Sequence, residues 1–118
     1  MIKFVGLKNC DTCRKAKKWL ESEGIPFTYH DVRSDGLSKE EVIHWIKELG
    51  WEELINRRGT TWRNLSDEDK NSVNQETAVD LIVANPSLMK RPLFIYGDTF
   101  ILGFKQAQME AIQALSIV

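Results

Sequence analysis

The chain has 118 residues, of which 42% are hydrophobic and 28% are charged, as in an ordinary globular domain with its own core. The 16 basic and 17 acidic residues give a formal net charge of −1, so no overall charge favours direct binding to nucleic acid. No apolar run approaches the roughly 20 residues that span a bilayer, and the start MIKFVGLKNC is too short and polar for a signal peptide. We therefore expect a cytoplasmic protein without a membrane segment, in which a disulfide is transient rather than structural.

The N-terminal part of the sequence predicts a β-α-β unit. The run IKFVGL (residues 2–7) has the composition of a short buried strand. An amphipathic helix is predicted to start near Thr12 and to end at Gly24 and Pro26. The second strand is FTYHDVR (27–33), and the helical crossover implies that it runs parallel to the first.

The middle of the sequence predicts several helices. Ser38 and Glu41 have the spacing of a capping box ahead of an amphipathic helix that Gly50 ends. The segment WEELI (51–55) predicts a helical turn, whereas the basic stretch NRRGTTWRNL (56–65) predicts a polar loop. Four tryptophans on or near apolar stripes are predicted to pack in the core: Trp19, Trp45, Trp51 and Trp62. For Trp62, which lies in the basic loop, lining a substrate groove is the alternative.

The C-terminal part predicts a hairpin followed by a helix. The strands Leu93–Tyr96 and Thr99–Leu102 flank Gly97-Asp98, a pair that suits a type II′ turn. A last helix is predicted over residues 104–115.

The order of predicted elements is β-α-β, a helical insert, and β-β-α. Without the insert this is the order of the thioredoxin fold, so we predict an α/β, thioredoxin-like fold with a helical insertion. We expect a single domain over residues 1–118, with the thioredoxin-like core at 1–37 and 88–118 and the insert at 38–87.

Both cysteines of the chain lie in a C-x-x-C motif where the first strand gives way to the helix. A thiol reacts as its thiolate, and the free N–H groups of a helix start favour negative charge, which predicts a lowered pKa for Cys10. Arg14, one turn into the helix, adds positive charge, and we predict that it helps to hold the Cys10 thiolate and belongs with the anion-binding residues. We predict that Cys10 is the attacking thiolate and that Cys13, on the apolar face, resolves the mixed disulfide.

Two other interpretations of the cysteine pair compete with this one. Zinc needs more ligands, and the other strong candidates, His30 and His44, match no zinc-binding spacing, so we predict no metal site. Inert packing fits Cys13 better than Cys10, because Cys10 precedes the helix in a polar turn. The sequence also lacks the glycine-rich phosphate-binding motifs, and we expect no bound cofactor.

Several segments carry a family resemblance, and together they extend over nearly the whole chain. They are GLKNCDTC (6–13), YHDVR (29–33), DGLSKEE (35–41), ELGWEELINRRGTTWRNL (48–65) and NPSLMKRPL (85–93). In these segments the sequence resembles the ArsC/Spx family of thioredoxin-fold proteins, and its YffB branch most of all.

The resemblance implies three classes of function. They are glutaredoxin-coupled arsenate reductases, Spx-type regulators that bind the C-terminal domain of the RNA polymerase α subunit and sense oxidation through C-x-x-C, and the YffB branch, thought to be glutathione-dependent thiol reductases. Our leading interpretation is a monomeric thiol–disulfide oxidoreductase acting on glutathione, small-molecule or protein disulfides. Its electrons would come from glutathione or a thioredoxin or glutaredoxin system. The regulator and the arsenate reductase are the alternatives.

The resemblance also implies roles for individual residues. Cys10 matches the family's nucleophile, and Pro92 matches a cis-proline that shapes the site. Arg91 matches one arginine that binds the substrate anion, and Arg58, or its neighbour Arg57, approximately matches another. A third family arginine has no counterpart in ILGFKQ (101–106), where a lysine cannot form a bidentate contact, and this disfavours arsenate. YffB-like proteins often keep only the first cysteine, so this chain departs from them in having both.

Overall fold

The computed structural model describes residues 1–115, and the chain divides into two compact units. The first comprises Met1–Val32 and the segment from Arg91 onward, and the second is Arg33–Lys90. The sequence placed these two boundaries after residue 37 and before residue 88. Within the described residues, no helix has the length and hydropathy needed to cross a membrane.

The elements follow one another in an order close to the predicted one. In chain order they are β1 (Ile2–Gly6), α1 (Asp11–Ser22), β2 (Phe27–Asp31), α2 (Lys39–Leu49), α3 (Trp51–Leu54), α4 (Thr60–Arg63), α5 (Asp67–Asn71), α6 (Gln75–Ala84), a 3₁₀ helix (Pro86–Leu88), β3 (Leu93–Tyr96), β4 (Thr99–Leu102) and α7 (Gln106–Gln113).

The first unit contains one four-stranded sheet in the order β2-β1-β3-β4. Strands β1 and β2 are parallel, as the helical crossover predicted, and β3 is antiparallel to both of its neighbours. Gly97, at the hairpin turn, has a φ of 58°, while Asp98 has no positive φ, which fits the predicted type II′ turn. The unit has the thioredoxin-like order β-α-β followed by β-β-α.

The core of the first unit joins the sheet to α1 and α7. Its buried members are Ile2, Phe4, Cys13, Ala16, Leu20, Phe94, Ile101 and Ile112. Three of them recur at helical spacing on α1, so this helix has one apolar face towards the sheet. Burying each large side chain stabilises the fold by roughly 1.5–3 kcal/mol. The second cysteine of the motif is therefore part of a packed core, and this packing fixes the start of α1.

The second unit is helical, and its first helix begins as predicted. The Ser38 hydroxyl accepts from the Glu41 N–H at 3.1 Å, and the Glu41 carboxylate accepts from the Ser38 N–H at 3.4 Å, which completes the capping box. Helix α2 contacts α3 and α6. The buried apolar side chains of this unit are Val42, Trp45, Ile46, Leu54, Ile55, Ala78, Val79, Ile82, Leu88 and Met89.

The prediction that the basic stretch 56–65 is entirely loop is wrong. Thr60–Arg63 forms the helical turn α4, closed by a 3.0 Å hydrogen bond from the Asn64 N–H to the Thr60 carbonyl. Arg57, just before this turn, lies over the ring of Trp51 at 5.2 Å and over that of Trp62 at 5.7 Å. These contacts with a charged side chain leave both tryptophans half-buried, whereas they were predicted in the core.

Two predicted elements are longer than the observed ones. The second strand ends at Asp31 rather than at residue 33, because its partner β1 ends at Gly6, which pairs with Asp31. The last helix covers Gln106–Gln113 rather than 104–115, because the Lys105 N–H is capped by the Gln108 side chain at 2.9 Å. The strand is therefore limited by pairing with a distant segment, and the helix by a side-chain cap, and neither limit is visible in the local pattern of apolar residues.

Candidate active site

The sheet brings Cys10 and Arg91 to one edge of the first unit. Cys10 follows the carboxyl end of β1, and Arg91 lies two residues before β3. Because β1 and β3 are antiparallel, with Val5 opposite Leu93, the end of one strand meets the beginning of the other. The Arg91–Pro92 peptide bond is cis, as predicted from the resemblance.

Cys10 is the N-cap residue of α1. Its backbone is extended, with φ −124° and ψ 119°, and its carbonyl accepts the first helical hydrogen bond from the Arg14 N–H at 2.9 Å. Its sulfur accepts from the Cys13 N–H at 3.5 Å. Sulfur thus takes the place that a Ser, Thr, Asp or Asn oxygen usually has at this position. A thiolate accepts such a bond better than a thiol, so the cap favours ionisation.

The surroundings of Cys10 lower the pKa of its thiol. Burial is the largest influence and opposes ionisation, but it is outweighed by hydrogen bonds from the Cys13 backbone and side chain and by the charge of Arg91 and its hydrogen bond to the sulfur. Cys10 is partly exposed, so a substrate can reach the sulfur. A half-exposed thiol with a lowered pKa is the environment of a reactive cysteine.

Cys13 has the opposite environment. Only 2% of the residue is exposed, and this burial raises the pKa of its thiol to about 12. The neighbouring Cys10 also contributes to this rise of the pKa, whereas a hydrogen bond with the Leu7 backbone and the charge of Arg91 oppose it. A Cβ at Gly6 would lie 3.1 Å from the Cys13 sulfur, so any residue larger than glycine would crowd this sulfur.

Asp31 holds the loop between β1 and the cysteines, a role that the sequence analysis missed. The residue is 6% exposed, and its Oδ2 accepts from the Lys8 N–H at 2.8 Å. The Val32 N–H donates to the Gly6 carbonyl at 2.9 Å, which extends the pairing of β1 with β2 by one bond. Together these bonds fix the loop that ends at Cys10. The sequence did contain a signal for this role, because Asp31 is an acidic residue near the carboxyl end of the strand predicted to pair with the one before the C-x-x-C motif.

Comparison with known proteins identifies the family. The family model described as the ArsC family matches residues 5–112, which is most of the chain. The chain belongs to the ArsC family. Its relatives include proteins of more than one named function.

Three of these relatives are informative. The chain is 34% identical to the solved structure of a protein named YffB, with a TM-score of 0.89, and the match covers 98% of this chain and all of the other. It is 41% identical to an arsenate reductase (ArsC) related protein from Brucella melitensis, with a TM-score of 0.77 and 97% and 95% of the two chains covered. It is 31% identical to the global transcriptional regulator Spx of Streptococcus pneumoniae over 94% of this chain and 84% of that protein.

Two of the predicted arginines have hydrogen-bond partners other than the thiol. Arg14 is exposed and donates to the Asp11 carboxylate at 2.6 Å, so its partner is this acid rather than the Cys10 sulfur to which it was assigned. Arg58 is exposed in the second unit, where its N–H donates to the Asn56 side chain at 3.1 Å. That these two ArsC-family side chains bind a substrate anion stays a prediction.

The zinc interpretation gains no support from the side chains present. Residues 1–115 contain no group of three or more histidine, cysteine and acidic side chains that could hold a metal ion. The thiols of Cys10 and Cys13 differ instead in their surroundings, since one is partly exposed with a lowered pKa and the other is buried with a raised pKa.

Proposed function

We propose that this ArsC-family protein is a cytoplasmic thiol–disulfide oxidoreductase with Cys10 as nucleophile and Cys13 as resolving thiol. The observation that carries the proposal is the contrast between the two sulfurs, with a lowered pKa at the partly exposed Cys10 and a raised pKa at the buried Cys13. Electrons would come from glutathione or from a thioredoxin or glutaredoxin system. No bound cofactor is needed for this chemistry.

In the first step the Cys10 thiolate attacks one sulfur of a substrate disulfide. A bond forms between the Cys10 sulfur and that sulfur, the substrate S–S bond breaks, and the other half leaves as a thiolate that takes a proton from water. Arg91, beside the Cys10 sulfur, favours the thiolate before attack. Its guanidinium is also suited to hold an anionic group of the bound half.

In the second step Cys13 attacks the Cys10 sulfur. The Cys13 thiol gives its proton to solvent, the Cys10–Cys13 bond forms, and the second substrate thiolate leaves, so the substrate gains two electrons. In the mixed disulfide Cys10 has no charge, so its contribution to the raised pKa of Cys13 is lost at that point. Two external thiols then return two electrons and leave as one disulfide.

The test is NADPH-coupled reduction of a mixed glutathione disulfide, with glutathione and glutathione reductase regenerating the thiols. We expect turnover that disappears in Cys10→Ser. The Cys13→Ser variant is the matched comparison, because it keeps the nucleophile and lacks the resolving thiol. Full turnover in Cys10→Ser would refute the proposal.

The Cys13→Ser variant also distinguishes two routes. If the disulfide forms within the chain, Cys13→Ser should accumulate a Cys10–glutathione adduct that intact-mass spectrometry detects. If external glutathione resolves the adduct directly, Cys13→Ser should keep turning over at a similar rate. Arsenate is then the next substrate, because one similar structure is named as arsenate reductase related.

A redox-sensing regulator is the second candidate. The similarity to Spx over 94% of the chain favours it, together with the presence of both motif cysteines. The corresponding partner would be the C-terminal domain of the RNA polymerase α subunit. A pull-down with that domain, performed with reduced and with oxidised protein, tests this candidate. Absence of binding in both states, together with thiol turnover, would leave the oxidoreductase.

A further inference from the structure

A groove of about 230 Å³ lies beside the C-x-x-C motif in the first unit, on the side of β2. The lining side chains that matter here are Lys8, Cys13, Arg14, Lys17 and Tyr29. Drug-sized ligands occupy pockets of roughly 300–1,000 Å³, so this groove has room for one end of a small molecule. It reaches Cys13, the proposed resolving cysteine, and one of the predicted anion-binding arginines, Arg14, lies on its wall, whereas Arg91 does not line it.

The charges that line the groove are all positive. Arg14 is neutralised by Asp11, whose carboxylate lies 2.6 Å from the guanidinium and outside the groove. Within residues 1–115, the ammonium groups of Lys8 and Lys17 are paired with no carboxylate. The Lys17 ammonium instead lies 5.7 Å from the centre of the Tyr29 ring. The groove therefore presents two uncompensated cations near Cys13.

We propose that this groove binds the carboxylate end of a small thiol or of its mixed disulfide. The inference rests on the proposed function, because it names the class of substrate for the same site. A lysine ammonium is a compact point charge with rotatable donors, which suits a carboxylate that arrives without a fixed geometry. Lys17 and Lys8 then select anionic thiols, such as glutathione, over uncharged ones.

Kinetics with two substrates test the selection. We expect Lys8→Gln and Lys17→Gln each to raise KM for the mixed glutathione disulfide about two- to fivefold, as for an exposed ion pair, and to leave kcat unchanged. Bis(2-hydroxyethyl) disulfide, which has no carboxylate, is tested in single turnovers of the reduced protein without glutathione, because glutathione would convert it into a mixed glutathione disulfide. The dependence of its reaction on concentration should not change in either variant. The matched control is Lys18→Gln, an exposed lysine of α1 outside the groove, which should leave both substrates unaffected.

Binding without turnover provides an independent readout. S-methylglutathione, which has the carboxylates but no free thiol, is titrated into Cys10→Ser while backbone amide NMR shifts are recorded. We expect saturable shifts at Lys8, Lys17 and Tyr29, and weaker binding when either lysine is Gln. This result would support the groove even if the protein turned over no disulfide.

Two results would refute the proposal that the groove binds a carboxylate, and neither would affect the proposed thiol–disulfide function. One is turnover in which the Lys8→Gln and Lys17→Gln variants keep the KM of the unmodified protein for the mixed glutathione disulfide. The other is a set of S-methylglutathione shifts confined to residues outside the groove. Absence of any S-methylglutathione binding at millimolar concentration would also refute the inference.

Discussion

Gly6 controls the space around Cys13, and replacing it should lower the stability of the fold and slow the chemistry proposed for Cys13. An added Cβ would lie 2.8 Å from Phe4 Cε1 and 3.1 Å from the Cys13 sulfur, against the usual 3.5–4.0 Å between carbon atoms. The Phe4 ring cannot turn away freely, because it packs against Phe27, Tyr29 and Phe94 at 5.7, 5.1 and 5.0 Å between ring centres. The substitution must therefore displace part of the core.

Overpacking of this kind costs about 1–3 kcal/mol, so we expect Gly6→Ala to lower the free energy of unfolding by about 2 kcal/mol. With a urea m-value of about 2 kcal/mol per molar, the midpoint of unfolding should fall by about 1 M. The assay is urea unfolding of the reduced protein followed by circular dichroism. In parallel, formation of the Cys10–Cys13 bond under mild oxidant should slow, because the Cys13 sulfur is displaced.

A double-mutant cycle identifies the clash. Phe4→Leu removes the ring atom nearest the new Cβ, so Gly6→Ala should destabilise the Phe4→Leu background by at least about 0.5 kcal/mol less than it destabilises the unmodified protein. An unchanged urea midpoint in Gly6→Ala would refute the argument outright. Strict additivity in the cycle would show that the cost arises from somewhere other than the Phe4 ring.

Three other predictions concern the loop, the thiol and the second unit. Because the pKa of Cys10 is lowered, its alkylation by iodoacetamide should rise with pH to a midpoint below that of the unfolded chain, and Arg91→Gln should move this midpoint to higher pH. Asp31→Ala should cost about 1–3 kcal/mol in urea unfolding by leaving the Lys8 N–H without its acceptor, whereas Asp31→Asn keeps an oxygen and should cost less. Arg57→Gln should change tryptophan fluorescence and cost about 1–2 kcal/mol, since two cation–π contacts are lost.

Each of these predictions has a result that would contradict it. An alkylation midpoint that Arg91→Gln leaves unchanged would show that the guanidinium does not act on the thiol. Equal stability of Asp31→Ala and Asp31→Asn would show that the hydrogen bond from the Lys8 N–H does not stabilise the fold. For Arg57, Arg57→Lys is the matched control, because it keeps a cation but lacks the flat guanidinium. Identical spectra for Arg57→Gln and the unmodified protein would exclude the stacking.

Local patterns in the sequence were sufficient to predict most of the first unit. The buried first strand, the single apolar face of α1 and the glycine at the hairpin turn each depend on residues close together in the chain, and all three are confirmed. The N-cap position of Cys10 is local in the same sense. Arg91 and Pro92 were predicted as site residues only from the family resemblance, because they lie about eighty residues from the cysteines in the chain and no local pattern connects them.

The features that the sequence did not predict are side-chain contacts for which several partners are available within reach. Arg14 lies within one turn of both Asp11 and Cys10, and only the side-chain geometry shows that it binds the acid. Asp31 was read as a strand residue, since its acceptor role requires the register that places Gly6 beside it. The stacking of Arg57 requires the helical turn α4, which the polar composition of that stretch concealed.

The two thiols differ because a single helix start has two environments one turn apart. The N-cap position faces free N–H groups and the Arg91 charge, so it favours a thiolate, whereas the position one turn later lies on the apolar face and favours a thiol. The charge on the first sulfur also raises the pKa of the second, so both are not readily ionised at once. Attack by Cys10 on a substrate removes that charge and leaves burial as the main influence that keeps Cys13 protonated. The order of the two proposed steps therefore follows from the fold: the exposed sulfur reacts first, and its reaction makes the buried one easier to ionise.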